Sequence, residues 1–193
     1  DPVYAPQAFL VHQHELQYAY SLSTLFRESN PTLPSSPQLT ALAPFLSRSS
    51  DSLAALPESQ LELQAATAFS SQTTIWTDEA ASLDTFYQQS SQSDLLLLST
   101  HAGWTGETAD PEVYFSDGVL SLPQIYGLQI SAPLVMLSAC ETGIGQYQQG
   151  EGVMSLARGF FYSGVKGLVS TLWTVNSGST STLIHDLLES VPR

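Results

Sequence analysis

Two apolar runs of this chain each end on a side chain able to do chemistry: Leu95-Leu96-Leu97-Leu98-Ser99-Thr100-His101 and Leu134-Val135-Met136-Leu137-Ser138-Ala139-Cys140. Cys140 is the single thiol of the sequence. A thiolate is the attacking species in acyl transfer, and forming it near neutral pH needs a lowered pKa or an adjacent imidazole. The same imidazole must then return a proton to the leaving amine. A tetrahedral oxyanion also needs backbone donors, expected here from the N–H of Cys140 and from Ala102 and Gly103 in the turn after His101. If the two runs are neighbouring strands of a parallel sheet, the ring and the sulfur emerge at one carboxyl-end edge, where open α/β sheets carry their sites. A Cys/His hydrolase is the leading reading.

The elements that must position this pair are legible as an alternation of short β-rich runs and helix-length amphipathic segments, which predicts a mostly parallel sheet. Residues 9–18 read as extended and 22–28 as a short helix, followed by a proline-rich loop at 30–37. Residues 39–46 have strand spacing, and 48–57 form a polar connector. Residues 58–69 read as a helix with Leu61, Ala65, Ala68 and Phe69 on its buried face, and Thr73-Thr74-Ile75-Trp76 as a strand. Thr77-Asp78-Glu79-Ala80 predicts the N-terminal cap of a helix that buries Leu83, Phe86 and Tyr87. The strand at 94–100 has continuous leucines, which implies burial on both faces. Residues 102–111 read as a loop, 114–120 as a turn between two extended pieces, and 122–126 as a brief helix. A second buried strand is expected at 133–139, a loop at 141–152, a helix at 153–162, a strand at 167–173 and a last helix at 180–188.

Composition narrows the function classes. With 193 residues and 42% hydrophobic content the chain has enough material for one domain with a core. Five Lys plus Arg against eighteen Asp plus Glu leave a net charge of −13, which repels a phosphate backbone and so argues against nucleic acid and anionic membrane as partners. A lone cysteine makes no internal disulfide and offers too few thiolates for a zinc site. A reducing cytoplasm fits best. No apolar run has membrane length, and Asp1-Pro2-Val3-Tyr4 is no signal peptide. That start is expected to be a cut within a longer protein. Gly143-Ile144-Gly145 lacks the further residues of a dinucleotide turn or an ATP loop, so no cofactor is expected.

In this order the segments resemble the CHAT domain, a caspase-like cysteine protease module usually found behind tetratricopeptide repeats in bacterial proteins. The resemblance rests on Ser99-Thr100-His101-Ala102, Phe115-Ser116-Asp117-Gly118, Leu137-Ser138-Ala139-Cys140-Glu141-Thr142-Gly143, Gly150-Glu151-Gly152-Val153-Met154-Ser155-Leu156-Ala157-Arg158 and Ser170-Thr171-Leu172-Trp173-Thr174-Val175. It implies a three-layer α/β sandwich, a mostly parallel central sheet with helices on both faces, over residues 1–193. It also implies His101 as base and Cys140 as nucleophile, with Ser138 lining the primary specificity pocket and Trp173 and Val175 walling it. Many caspase-like proteins have Gly directly after the His, whereas Ala102 intervenes here before Gly103. No third member of a triad is identifiable. The family pattern continues beyond the helix at 180–188, so a cut at the C-terminal end is expected too.

Each candidate also has a plainer reading. Cys140 taken alone is an inert buried thiol, and His101 alone is a loop histidine bonded to a carbonyl. The flanking motif and the two strands tip both toward a site. Asp117, Glu141 and Glu151 lie in or beside the expected cleft, where a desolvated carboxylate, above all Asp117, would select a basic side chain. As turn and cap residues they would merely organise loops, and this is favoured for each. Trp173 is equally a core anchor. His12, His14 and His185 read as structural. The expectation is therefore a cysteine endopeptidase acting on protein or peptide substrates and regulated by flanking repeats. The alternative is a catalytically silent caspase-like module that binds peptides.

Overall fold

A computed structural model of the chain describes residues 32–50, 52–105, 110–139, 146–148, 152–171 and 176–190. Five parallel strands make its central sheet: β1 (Leu39–Ala43), β2 (Thr73–Thr77), β3 (Leu95–Ser99), β7 (Leu134–Ser138) and β10 (Gly167–Ser170). Their order across the sheet is β10-β7-β3-β1-β2. Between them run α1 (Ser59–Phe69), α2 (Leu83–Ser90), α3 (Leu122–Tyr126) and α4 (Leu156–Tyr162), and α5 (Ser177–Ser190) follows β10.

The continuous apolar runs are explained by burial on both faces of the sheet. Side chains alternate across a strand, and β1, β3 and β7 accordingly feed two separate cores. Leu42, Leu96, Leu98, Val135 and Leu137 pack with Phe86 of α2, Ile125 of α3 and Phe160 of α4. Leu39, Ala41, Leu95, Leu97 and Met136 pack with Leu63 and Ala66 of α1 and Ile184 and Leu188 of α5. Helices therefore cover both faces, and the molecule is the expected three-layer α/β sandwich.

Three local readings are corrected. Residues 102–111 are not simply a loop: β4 (Ala102–Thr105) pairs antiparallel with β5 (Asp110–Tyr114), which pairs with β6 (Val119–Ser121). Backbone pairing supplies partners that a Gly-containing polar stretch does not advertise. The segment 141–152, read as a loop, contains β8 (Gln146–Gln148) paired with β9 (Gly152–Met154), so the helix read from residue 153 starts only after Ser155. The Ser155 hydroxyl there accepts from the N–H of Arg158.

The third correction concerns α2. Asp78–Ala80 is a separate 3-10 turn, and Ser82 is the cap, accepting from the Thr85 N–H. Asp78 has a left-handed φ of 48°, and its carboxylate accepts from the N–H and hydroxyl of Ser47 and the N–H of Arg48. Those bonds tie the connector after β1 to the end of β2, which is why Asp78 does not serve as a helix cap.

Candidate active site

The pairing of β3 with β7 places Ser99 opposite Ser138, and one step further the Thr100 N–H donates to the Ser138 carbonyl at 3.1 Å. β3 and β7 therefore end side by side, with Thr100 and Ala139 as the residues that follow them. Cys140, Glu141, Glu151, Trp173 and Val175, like His12 and His14, lie outside the described residues. Ala139, the neighbour of Cys140, is within them. Its carbonyl accepts from the Thr171 hydroxyl at 2.7 Å, which anchors the end of β7 to the segment after β10.

Backbone bonds on both sides hold His101. The Thr100 hydroxyl donates to the Tyr114 carbonyl at 2.6 Å, and the Tyr114 N–H donates to the His101 carbonyl at 3.0 Å. Ala102 then faces Val113 and Gly103 faces Glu112 in the β4–β5 register. Because antiparallel residue pairs alternate between bonded and non-bonded, the amide of Gly103 turns toward β5 and that of Ala102 away from it.

The ring itself stands edge-on to Phe45, with centroids 5.1 Å apart. Its Nε2 lies 2.8 Å from the carbonyl oxygen of Ala54. A carbonyl only accepts, so Nε2 carries the proton and Nδ1 of the neutral ring keeps its lone pair. Ala54 is itself positioned by the connector after β1. There the Leu56 N–H donates to the Phe45 carbonyl at 2.6 Å, and Ser50 and Leu53 close a turn. The orienting group that the sequence did not disclose is thus a backbone oxygen, which no side-chain pattern can announce.

Beside the ring is a cavity of about 250 Å³, lined by Leu56 and Ser59, by Glu62 of α1, by Ser99, Thr100 and His101, by Ser138 and Ala139, and by residues of α5 and its cap Asn176. The Ser138 hydroxyl, on the cavity wall, donates to Glu62 Oε1 at 2.7 Å, and the Ser181 hydroxyl of α5 donates to the same oxygen at 2.7 Å. Glu62 is 1% exposed, and its Oε2 has no hydrogen-bond partner among the described residues. Burial pushes its carboxyl above the usual range, opposed more weakly by the hydroxyls of Ser138, Ser181 and Ser99.

Glu62 lies outside the buried face that Leu61, Ala65, Ala68 and Phe69 predict for this helix. Leu61 is only half-buried and Ala68 is exposed, while Ser59, Glu62, Leu63, Ala65 and Ala66 are buried. The buried arc is wider because α1 is covered by the sheet on one side and α5 on another. One signal was present: Glu62 shares an i, i+3, i+4, i+7 stripe with Ala65, Ala66 and Phe69.

Asp117 is elsewhere. It sits in the turn between β5 and β6, its Oδ1 accepting from the Leu83 N–H at 2.8 Å at the start of α2, and it does not line the cavity. That geometry is the turn-and-cap reading rather than the selector reading. His185, half-buried, lies 3.2 Å from Asp186 and 3.6 Å from Glu189, both exposed, on α5.

A parallel sheet covered on both faces, with a histidine at the carboxyl end of its central strand beside a cavity, defines a caspase-like α/β protein. The chain belongs to the CHAT domain family, whose family model matches residues 2–193. No curated protein matches it. Among the described residues no helix is long and apolar enough to cross a membrane.

Proposed function

We propose that this domain is a cysteine endopeptidase in which Cys140 is the nucleophile and His101 the base, acting on a protein or peptide substrate. One observation supports the reading: the Ser99–Ser138 register ends the two strands that precede His101 and Cys140 at the same edge, while Ala54 holds the Nε2–H and leaves Nδ1 as the ring's basic nitrogen. In the proposed cycle Nδ1 takes the thiol proton, and the thiolate attacks the scissile carbonyl carbon. The oxyanion is met by backbone N–H groups of Cys140 and of Ala102 or Gly103. Of these the Ala102 amide, turned away from β5, is the better disposed, so the Ala in place of the usual Gly is compatible with the role. The Nδ1–H then protonates the leaving amine as the C–N bond breaks, and water hydrolyses the thioester.

Throughout, the Ala54 carbonyl accepts from Nε2–H and favours the imidazolium that forms, the part a third side chain plays in other hydrolases. Ser138 and its cavity are the proposed subsite for one substrate side chain. Regulation by flanking repeats belongs to the same proposal.

The test is cleavage of a proteome-derived peptide library by the chain and by Cys140→Ala and His101→Ala. Both variants should lose cleavage by at least about a hundredfold while keeping the melting temperature. Alkylation of Cys140 by iodoacetamide should have its midpoint below the ordinary thiol value of about 8.5, and His101→Ala should move it upward. Unchanged cleavage in Cys140→Ala, or an ordinary midpoint that ignores His101, would leave the silent peptide-binding module as the better reading.

A further inference from the structure

The cavity beside His101 ends on a feature that its structural duties do not explain. A glutamate that served only to tie β7 to α5 would need one acceptor oxygen, and Oε1 fills that need by taking both the Ser138 and Ser181 hydroxyls. Oε2 is buried without a partner among the described residues, a state that folded proteins penalise and seldom keep. Glu62 lines the cavity, so the cavity is the side from which a complementary donor would approach it. The Ser138 and Ser181 hydroxyls already donate to Oε1, the Ser99 hydroxyl donates to Ser59, and among the described residues no Lys or Arg lines the cavity. Within the described residues, then, nothing on the cavity wall offers Glu62 a cationic partner.

We propose that Glu62 is the specificity-determining residue of this pocket and that the pocket takes a lysine or arginine side chain of a peptide substrate. The space suits it: 250 Å³ holds roughly eight water-sized groups at about 30 Å³ each. Leu56 and Ala139 offer apolar wall to an aliphatic stem, and Glu62 lies among hydroxyls where the cationic head would end. A buried carboxylate paired with a guanidinium or ammonium is a strong, charge-assisted contact. Burial favours the neutral carboxyl, and a cation beside it reverses that balance. The overall charge of −13 draws basic peptides to the domain as well. This assignment deepens the peptidase reading and rests on it for the nature of the ligand, but it replaces Asp117 with Glu62 as the selecting carboxylate.

The experiment separates the two. Fluorescein-labelled peptides, alike except for one central Lys, Arg, Gln or Leu, are titrated against the Cys140→Ala chain by anisotropy, and the same peptides are offered to the unaltered chain for cleavage. The Lys and Arg peptides should bind and be cleaved at least about tenfold better than the Gln and Leu peptides, and Glu62→Gln should erase that preference. Agmatine and benzamidine should compete for the unaltered chain, a readout that stands even if Glu62→Gln does not fold. Binding preference without cleavage would overturn the peptidase reading and keep the pocket. Cleavage without a basic preference, or a preference that survives in Glu62→Gln, would overturn the pocket and keep the peptidase. No binding and no cleavage would overturn both.

Discussion

At the scale of single residues, the site is a set of side chains whose states are set by backbone atoms and hydroxyls. His101 is fixed in one tautomer by the Ala54 oxygen, and Glu62 is held by two serines in a place where charge is costly. Because burial raises its folded pKa above the ordinary 4.5, Glu62 favours the native state below that value and works against it as pH rises through the raised value. Glu62→Gln keeps the volume and the acceptor. Urea unfolding from pH 4 to 8 should therefore show the variant gaining on the unaltered chain as pH rises, by about 1.4 kcal/mol for every tenfold by which folding strengthens the carboxyl's hold on its proton.

Asp78 has the opposite sign. Burial tends to raise its pKa, but the Ser47 N–H and hydroxyl, the Arg48 N–H and the Arg48 charge outweigh it and bring it below 3.8. Its contribution is present above the ordinary value and lost as acid protonates it. Asp78→Asn, which keeps a residue tolerant of left-handed backbone, should cost about 0.5–1 kcal/mol at pH 7. The difference should vanish toward the acid end of the same unfolding series.

At the scale of elements, register does the positioning. Side chains alternate along β3 and β7, and slipping either by one residue would move its apolar set to the other face. In β3 and β7 both faces are apolar, so the face pattern alone does not select the register; the ladder that pairs Leu95–Ser99 with Leu134–Ser138, continued by the Thr100 N–H bond to the Ser138 carbonyl, holds the exits at Thr100 and Ala139 adjacent. The return from α4 to β10 depends on Gly164, whose φ is +113°. There the Gly164 N–H donates to the Phe161 carbonyl and the Val165 N–H to that of Phe160, a Schellman closure that sends the chain toward β10. Gly164→Ala would force a side chain into that backbone conformation, with its Cβ 3.0 Å from the Ile130 oxygen. A loss of roughly 1–3 kcal/mol in chemical denaturation is expected.

At the scale of the whole molecule, the sheet separates two cores that share strands but face opposite ways. Phe160 belongs to one and Leu97 to the other, both fully buried. Phe160→Ala should cost about 3–5 kcal/mol and Leu97→Ala about 2–5. With the two side chains in cores on opposite faces of the sheet, the losses should add within about 0.5 kcal/mol in the double variant, measured by urea unfolding. A shortfall well beyond that would mean the sheet transmits repacking between its faces.

The sequence by itself determined the layered α/β class, the buried strands at Leu95–Ser99 and Leu134–Ser138, the family, and His101 with Cys140 as the pair to examine. Those features are written in continuous apolar runs and in a local motif, and local patterns survive without knowledge of neighbours. Only the tertiary structure decided that Ala54 orients the ring, that residues 102–105 are a strand, that Asp117 accepts from the first N–H of α2, and that Glu62 lines the cavity. Each of these is a contact between distant segments or a bond to backbone, and one-dimensional spacing carries neither. A carboxylate on a helix looks like a solvated residue until a second helix closes over it.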